Sequence, residues 1–390
     1  MDEIVARHRI ERRAARLLPA RVGVYFLLAQ ALFTGVGALG IWQKLTRCLP
    51  REEQRPSEKA LRDLRNRIGT TPLRDLFDTL AGPLASTSTT GVGYRGLRTV
   101  AFDGCASTKV ADNEDNISWL GKVLHRMGMV GYPVVMIVAL VETGTRGLLG
   151  AVFGTRKTGE MMWASRLLQH LGPGMIVLLD RGFDANDFLS RTAATGADFL
   201  VRLQTKRRPP IRAKLPDGSY LTEFNGLRVR VIEARTHAVL ADGRVVGGTY
   251  RLATTLLDHR LDPARRLVQL YHERWEIESA FFALRHTLMQ GRVLRSSTPN
   301  GLEQELWAIL CAYQVLRRAM ADSIPPGQRL DPDRLSFTTA LRYAQESVES
   351  AEGVLDETPW SHTPFARAVR NAAMPPRRVR LSTRIVKCPI

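Results

Sequence analysis

The spacing of apolar residues changes near residue 93. Before it they recur every three to four positions, as on an amphipathic helix. After it they come in short solid runs bounded by turn residues, as in buried strands. Residues 3–18 read as an Arg-rich helix, the apolar run after Pro19 as a second helix and residues 63–80 as a third helical region. The Ser/Thr/Gly-rich stretch 86–93 reads as a linker. Residues 22–43 carry no charge and are long enough to cross a bilayer. Gly23, Gln30, Thr34, Gly35, Gly37 and Gly40 dilute that run, and residues 35–40 read as a break between two helices, so a buried helix of an N-terminal domain is expected rather than a membrane span.

The strand-like runs are LRTVAFDG at 97–104, YPVVMIVALVET at 132–143 and LLGAVFG at 148–154, the last two joined through Gly144, Thr145, Arg146 and Gly147 as a hairpin. A helical segment at 160–171 closes on Gly172 and Pro173. MIVLLD at 175–180, a helical stretch at 185–194 and DFLVRLQ at 198–204 follow. Three strands, helix, strand, helix, strand is the order of a ribonuclease H-like core, although other mixed α/β folds share it. Residues 205–261 hold a basic loop, KRRPPIRAK at 206–214, and further strand-like runs, and read as a β-rich insertion. Helical periodicity returns from Pro263 to about Gln290 and again through 301–390, which ends in a basic tail. The expected organisation is α/β: a helical N-terminal domain at 1–92, a ribonuclease H-like core at 93–204 and 262–300, the insertion at 205–261, and a helical C-terminal region at 301–390.

Composition narrows the partner. With 44% hydrophobic and 24% charged residues the chain can bury a core. Its 56 Lys and Arg against 38 Asp and Glu leave a formal charge of +18, spread over several segments. Such a field favours a polyanion, because each neutralised phosphate releases condensed counterions. Cys48, Cys105, Cys311 and Cys388 lie far apart, and the histidines form no HExxH pair, so no zinc site is expected and the cysteines read as reduced cytoplasmic thiols.

Asp103 and Asp180 each close a predicted strand and precede a glycine within two positions, Gly104 and Gly182. Carboxylates at the C-terminal ends of neighbouring parallel strands face one edge of the sheet, although an aspartate after a strand also commonly caps a turn. In YHERWEIESAFFALR, residues 271–285, Tyr271, Arg274, Glu278 and Arg285 fall within roughly 60° of one another on a helix. Trp275, Ile277, Phe281, Phe282 and Leu284 supply the apolar stripe that would bury this helix. A salt-bridged solvated face is the ordinary alternative for the polar stripe. Three hard carboxylates suit magnesium, and two ions about 4 Å apart clamp the attacking and leaving oxygens of phosphoryl transfer. Of the acidic loop residues, Asp112 and Asp115 read as solvated, and Asn116 stays open between a supporting and a surface role.

These motifs resemble the DDE transposases of the insertion-sequence-four family. Asp103 followed by glycine, DRGF at 180–183 and the Y(2)R(3)E(6) spacing closed by Arg285 carry the resemblance, with support from RRAARLLPARVGVYFLLAQALF and from residues 293–317. Arg285 stands where the family pattern has lysine, which keeps the charge and changes its geometry. The resemblance implies metal ligation by Asp103, Asp180 and Glu278 with two Mg²⁺ ions, for which Mn²⁺ can substitute, and contacts to a DNA end by Tyr271, Arg274 and Arg285. It implies cut-and-paste transposition of an insertion sequence, with double-stranded terminal inverted repeats and target DNA as partners. A homodimer in the DNA complex and a bacterial, nucleoid-associated location are implied as well. The family can stack a flipped base on an aromatic residue, often a tryptophan of the insertion; this insertion has none, and Phe224 and Tyr250 are the candidate platforms. A hydrolytic nuclease on the same fold and a non-catalytic, decayed DNA-binding relative are the alternatives.

Overall fold

The computed structural model describes residues 2–8, 18–48, 56–122, 124–125, 128–129, 131–239, 245–350 and 360–376. Five helices lead: α1 (Asp2–Arg7), α2 (Ala20–Leu32), α3 (Ala38–Leu45), α4 (Glu58–Ile68) and α5 (Thr71–Leu80). The uncharged run divides between α2 and α3, as its glycines foretold, and no described helix is long and apolar enough to cross a membrane. Phe26, Ala29 and Phe33 pack instead on Ile41 and on Leu61 of α4. The helical region expected over 63–80 holds parts of two helices, because Gly69 leaves the helical conformation at φ 68° and the next helix opens with Thr71 and Pro72. Residues 9–17 of the Arg-rich segment and the basic tail from 377 lie outside the described residues.

The stretch read as a linker is pinned by tertiary contacts. Val92 is buried, a Cβ on Gly91 would fall 2.3 Å from Asp331 Oδ2, and β1 (Gly93–Tyr94) pairs with the next strand. The strands and helices that follow are β2 (Leu97–Lys109), α6 (Glu114–Leu120), β3 (Leu124–His125), β4 (Gly128–Met129), β5 (Val134–Glu142), β6 (Leu148–Gly154), α7 (Glu160–Ser165), β7 (Met175–Leu179), α8 (Asn186–Ala194) and β8 (Asp198–Arg202). Next come β9 (Ala213–Lys214), β10 (Tyr220–Phe224), β11 (Leu227–Val239) and β12 (Val245–Thr254). The chain continues with α9 (Ala264–Tyr271), α10 (Trp275–Phe282), α11 (Pro299–Asp322), α12 (Phe337–Ser350) and α13 (Pro364–Asn371).

Ten strands form one mixed sheet in the order β6-β5-β2-β7-β8-β12-β11-β10-β9, with β1 against β2. β2, β7 and β8 run parallel at its centre, and β5 pairs antiparallel with β2 on one side and with β6 on the other. The segment read as a β-rich insertion does not fold away from this sheet: β12 pairs with β8 through Leu252↔Arg202, and β11, β10 and β9 extend it outward.

Both faces of the sheet are covered, so its central strands read as unbroken apolar runs. Along β2, Val100 and Phe102 face α7 and α8, with Val177, Leu179, Phe188 and Leu189. Ala101 faces the other way, with Leu178, Leu200, Ile277, Ala280 and Leu310 beneath α10 and α11. The hairpin tip between β5 and β6 is buried, with Thr143, Thr145 and Arg146 all shielded and Arg146 in the left-handed region at φ 58°.

Candidate active site

β2 pairs with β7 through Ala101↔Leu178, the last matched positions of that parallel ladder. Asp103 and Asp180 each lie two residues further on. Asp180 keeps an extended backbone, φ −79° and ψ 177°, although β7 has ended. Two residues restore the same face of a strand, so both carboxylates stand at one level, on the face that Ala101 and Leu178 share with α10. Adjacent strands are about 4.8 Å apart. Asp103 does not end its strand as the sequence suggested. β2 continues to Lys109, with an irregularity in its pairing to β5 between Cys105 and Thr108.

Each aspartate spends one oxygen locally. Asp103 Oδ1 accepts from the Gly104 N–H at 2.9 Å, and Asp180 Oδ1 accepts from the Gly182 N–H at 2.6 Å, capping a 3₁₀ turn at Arg181–Phe183. The turn-capping role thus coexists with the site, because a carboxylate has a second oxygen.

The glutamate arrives on a helix that changes geometry twice. α9 passes into a 3₁₀ turn at His272–Arg274, then α10, then a π turn at Ala283–Leu288. Arg274 is buried, and its Nη2 donates to Glu278 Oε1 at 3.0 Å. Asp103 feels the charges of both Arg274 and Glu278, so the structure brings Asp103, Asp180, Arg274 and Glu278 into one electrostatic neighbourhood. Among the described residues no hydrogen bond or ion pair joins Arg285 to them. It is half-buried in the π turn, whose wider i→i+5 winding displaces it from the face an unbroken α-helix would give.

Tyr271 also departs from the expectation of a DNA-facing phenol. It is 7% exposed, and its hydroxyl donates to the Leu179 carbonyl at 3.1 Å, just before Asp180. Burial raises its pKa, so the phenol stays protonated as that donor. The apolar stripe differs too. Ile277, Phe281 and Leu284 are buried, but Trp275 and Phe282 are exposed, with Arg274 over the Trp275 ring and His286 against Phe282. Neither expected stacking platform presents a free ring. Phe224 is buried beneath the Arg207 guanidinium, 3.7 Å from its centroid, and Tyr250 lies half-buried against Tyr271 and Arg202.

One carboxylate went unnoticed in the sequence. Glu160, the first residue of α7, lies against Asp103 and the Gly104 N–H and within range of Asp180 and Arg274. Burial first, and then Glu160, push Asp103 up to about 7, with Arg274 opposing them. Glu160 is itself raised, by burial and by Asp180. An acidic residue opening a helix is ordinary dipole compensation, which is why composition and spacing gave no hint of it. Asn116 is fully buried, donating to the Ala111 and Ser296 carbonyls, and so locks a loop; Asp112 pairs with Lys122 at the surface, and Asp115 is exposed.

As the side chains stand, no three His, Cys, Asp or Glu donors among the described residues converge tightly enough to cage an ion. The donor chemistry nevertheless fits a hydrated hard cation. Carboxylate oxygens outnumber the nearby guanidinium, burial and the neighbouring Glu160 hold Asp103 against ionisation, and magnesium keeps most of its waters.

The family model for the transposase DDE domain matches residues 122–315, and that for the insertion element 4 transposase N-terminal matches residues 1–78. The first span holds Asp180, Tyr271, Arg274, Glu278, Arg285 and Glu160; Asp103 precedes it. The chain is 26% identical over 386 residues to the transposase InsG for insertion sequence element IS4 of Escherichia coli (strain K12), covering 95% of this chain and 86% of that one. It is 27% identical over 134 residues to the putative transposase InsZ of the same strain, covering 34% of this chain and 44% of that one. A piggyBac transposase in a synaptic complex with hairpin DNA aligns at a TM-score of 0.45 and 11% identity, over 95% of this chain and 81% of that one. DDE transposases generally use divalent metal ions. The two matched families and the full-length relative agree: this chain belongs to the insertion-sequence-four family of DDE transposases, enzymes that cleave DNA and transfer strands.

Proposed function

We propose that this enzyme carries out cut-and-paste transposition with Asp103, Asp180 and Glu278 as ligands of two Mg²⁺ ions, replaceable by Mn²⁺, on a ribonuclease H-like core into whose sequence residues 205–261 are inserted. The observation that carries the reading is the register. Two aspartates stand level on adjacent parallel strands, on the face toward the helix that presents Glu278 and Arg274.

When bound, the metal supplies Lewis acidity to phosphate oxygens and lowers the pKa of a coordinated water. The chain's own residues do the rest. Asp103, within β2, and Asp180, just past the end of β7, orient their second carboxylate oxygens toward the site. Arg274 holds Glu278 in place and offers the remaining guanidinium N–H groups to a phosphate. Tyr271, fixed on the Leu179 carbonyl, steadies the strand end from which Asp180 projects. Arg285, half-buried and without an ion pair among the described residues, contacts the DNA end backbone. The first displacement is hydrolytic and frees a 3′-hydroxyl at the element end, and the second is attack by that hydroxyl on target DNA, both in line.

The helical N-terminal domain, residues 1–92, reads the terminal inverted repeats, and two copies of the chain hold two ends together in the bacterial cytoplasm. Incubating the protein with end-containing DNA in Mg²⁺ or Mn²⁺ gives 3′-strand cleavage and strand-transfer products. Each of Asp103→Ala, Asp180→Ala and Glu278→Ala abolishes both. Undiminished cleavage in all three variants rejects the assignment, and cleavage without strand transfer makes the protein a hydrolytic nuclease.

A further inference from the structure

Glu160 approaches the site from the wrong side of the sheet. It belongs to α7, which packs on the face of Val100 and Phe102, whereas Glu278 stands on the opposite face. By alternation residue 104 points toward α7. A Cβ there would lie 2.6 Å from Glu160 Oε1 and 2.9 Å from its Cγ and Cδ, closer than real side chains come. Glu160 therefore reaches Asp103 only because Gly104 leaves a gap. A glutamate that merely compensated the α7 dipole would face solvent and would place no demand on residue 104. This one is half-buried against a second carboxylate, with Asp180 and Glu278 near and Arg274 the cation acting on the group. Gathering acidic groups in a partly desolvated place is costly unless a cation joins them.

We propose that Glu160 is a fourth carboxylate of the metal site, entering through the gap at Gly104 and adding an oxygen donor, directly or through an ion-bound water, to the cation held at Asp103. The inference rests on the reading of Asp103, Asp180 and Glu278 as metal ligands.

Its test is Mn²⁺ binding by the full-length protein, followed by the paramagnetic resonance of the free ion, beside unfolding midpoints and end-DNA binding measured in EDTA. Glu160→Gln keeps the shape and removes the charge. It should weaken Mn²⁺ binding about tenfold or more, the range for lost supporting groups at metal sites, with DNA binding in EDTA unchanged. Gly104→Ala keeps the carboxylate and displaces it, and should weaken Mn²⁺ binding in the same direction, which guards against a folding defect peculiar to Glu160→Gln. Asp103→Asn is the reference. Wild-type Mn²⁺ affinity in Glu160→Gln and Gly104→Ala, with affinity lost in Asp103→Asn, overturns the role of Glu160 alone. Wild-type affinity in Asp103→Asn as well overturns the underlying metal site, and this inference with it.

Discussion

Glu276, two residues before Glu278, carries the clearest energetic consequence of the fold. It is 5% exposed, and its Oε2 accepts from Arg146 Nε at 2.6 Å. Arg146 sits at the buried hairpin tip, its carbonyl accepting from the Tyr313 hydroxyl at 2.8 Å and its Nη2 lying 3.5 Å from Asp333 without a hydrogen bond. A second buried guanidinium, Arg317, lies close enough for Arg146 to lower its pKa further, beyond the effect of burial. Removing the Glu276 charge therefore leaves two buried cations with less compensation. Breaking one side of a buried pair costs about 3–5 kcal/mol. Glu276→Gln retains an acceptor for Arg146, so the lower end, about 3 kcal/mol, is expected, and Glu276→Met should approach the upper end. About 3 kcal/mol is roughly two orders of magnitude in the folded-to-unfolded ratio. Replacing both partners, Arg146→Met with Glu276→Met, removes both desolvation penalties and should cost less than Glu276→Met alone. Urea unfolding followed by far-ultraviolet circular dichroism, with the denaturant slope unchanged, reads these differences as midpoint shifts. A loss below about 1 kcal/mol in Glu276→Gln, or a double variant whose loss equals the sum of the two singles, refutes the buried pair.

Two further outcomes follow from the site. With its pKa at about 7 in the folded chain and ordinarily near 3.9 unfolded, Asp103 binds more protons folded than unfolded between those values. In EDTA the stability it contributes accordingly falls as pH rises from about 4 to about 7 and is flat above; the difference between wild type and Asp103→Asn in thermal unfolding isolates this slope, and a difference that grows in favour of the wild type over that window contradicts it. Tyr271→Phe deletes the hydrogen bond to the Leu179 carbonyl, so it should cost about 1 kcal/mol of stability and slow metal-dependent cleavage while DNA-end affinity holds; lost affinity with unchanged stability assigns the hydroxyl to DNA instead.

The sequence by itself determined what local periodicity encodes. Strands buried on both faces must be solid apolar runs, so β2, β5, β6, β7 and β8 fall where those runs lie, and turn chemistry placed the β5–β6 hairpin and the break between α2 and α3. The motif spacing singled out Asp103, Asp180, Arg274 and Glu278, which the fold gathers together, because alternation along a strand and the pitch of a helix follow from residue number alone. Only the tertiary structure decided the rest. Whether β9–β12 formed a separate unit or extended the sheet depended on the exposed edge of β8, which no local pattern reports. The 3₁₀ and π turns around α10, the exposure of Trp275 and Phe282 and the half-burial of Arg285 were likewise decided there. Tyr271 became a buried support because its partner, the Leu179 carbonyl, lies 92 residues away in sequence. Glu160 could be found only in three dimensions, since its significance lies in the side chain that Gly104 lacks.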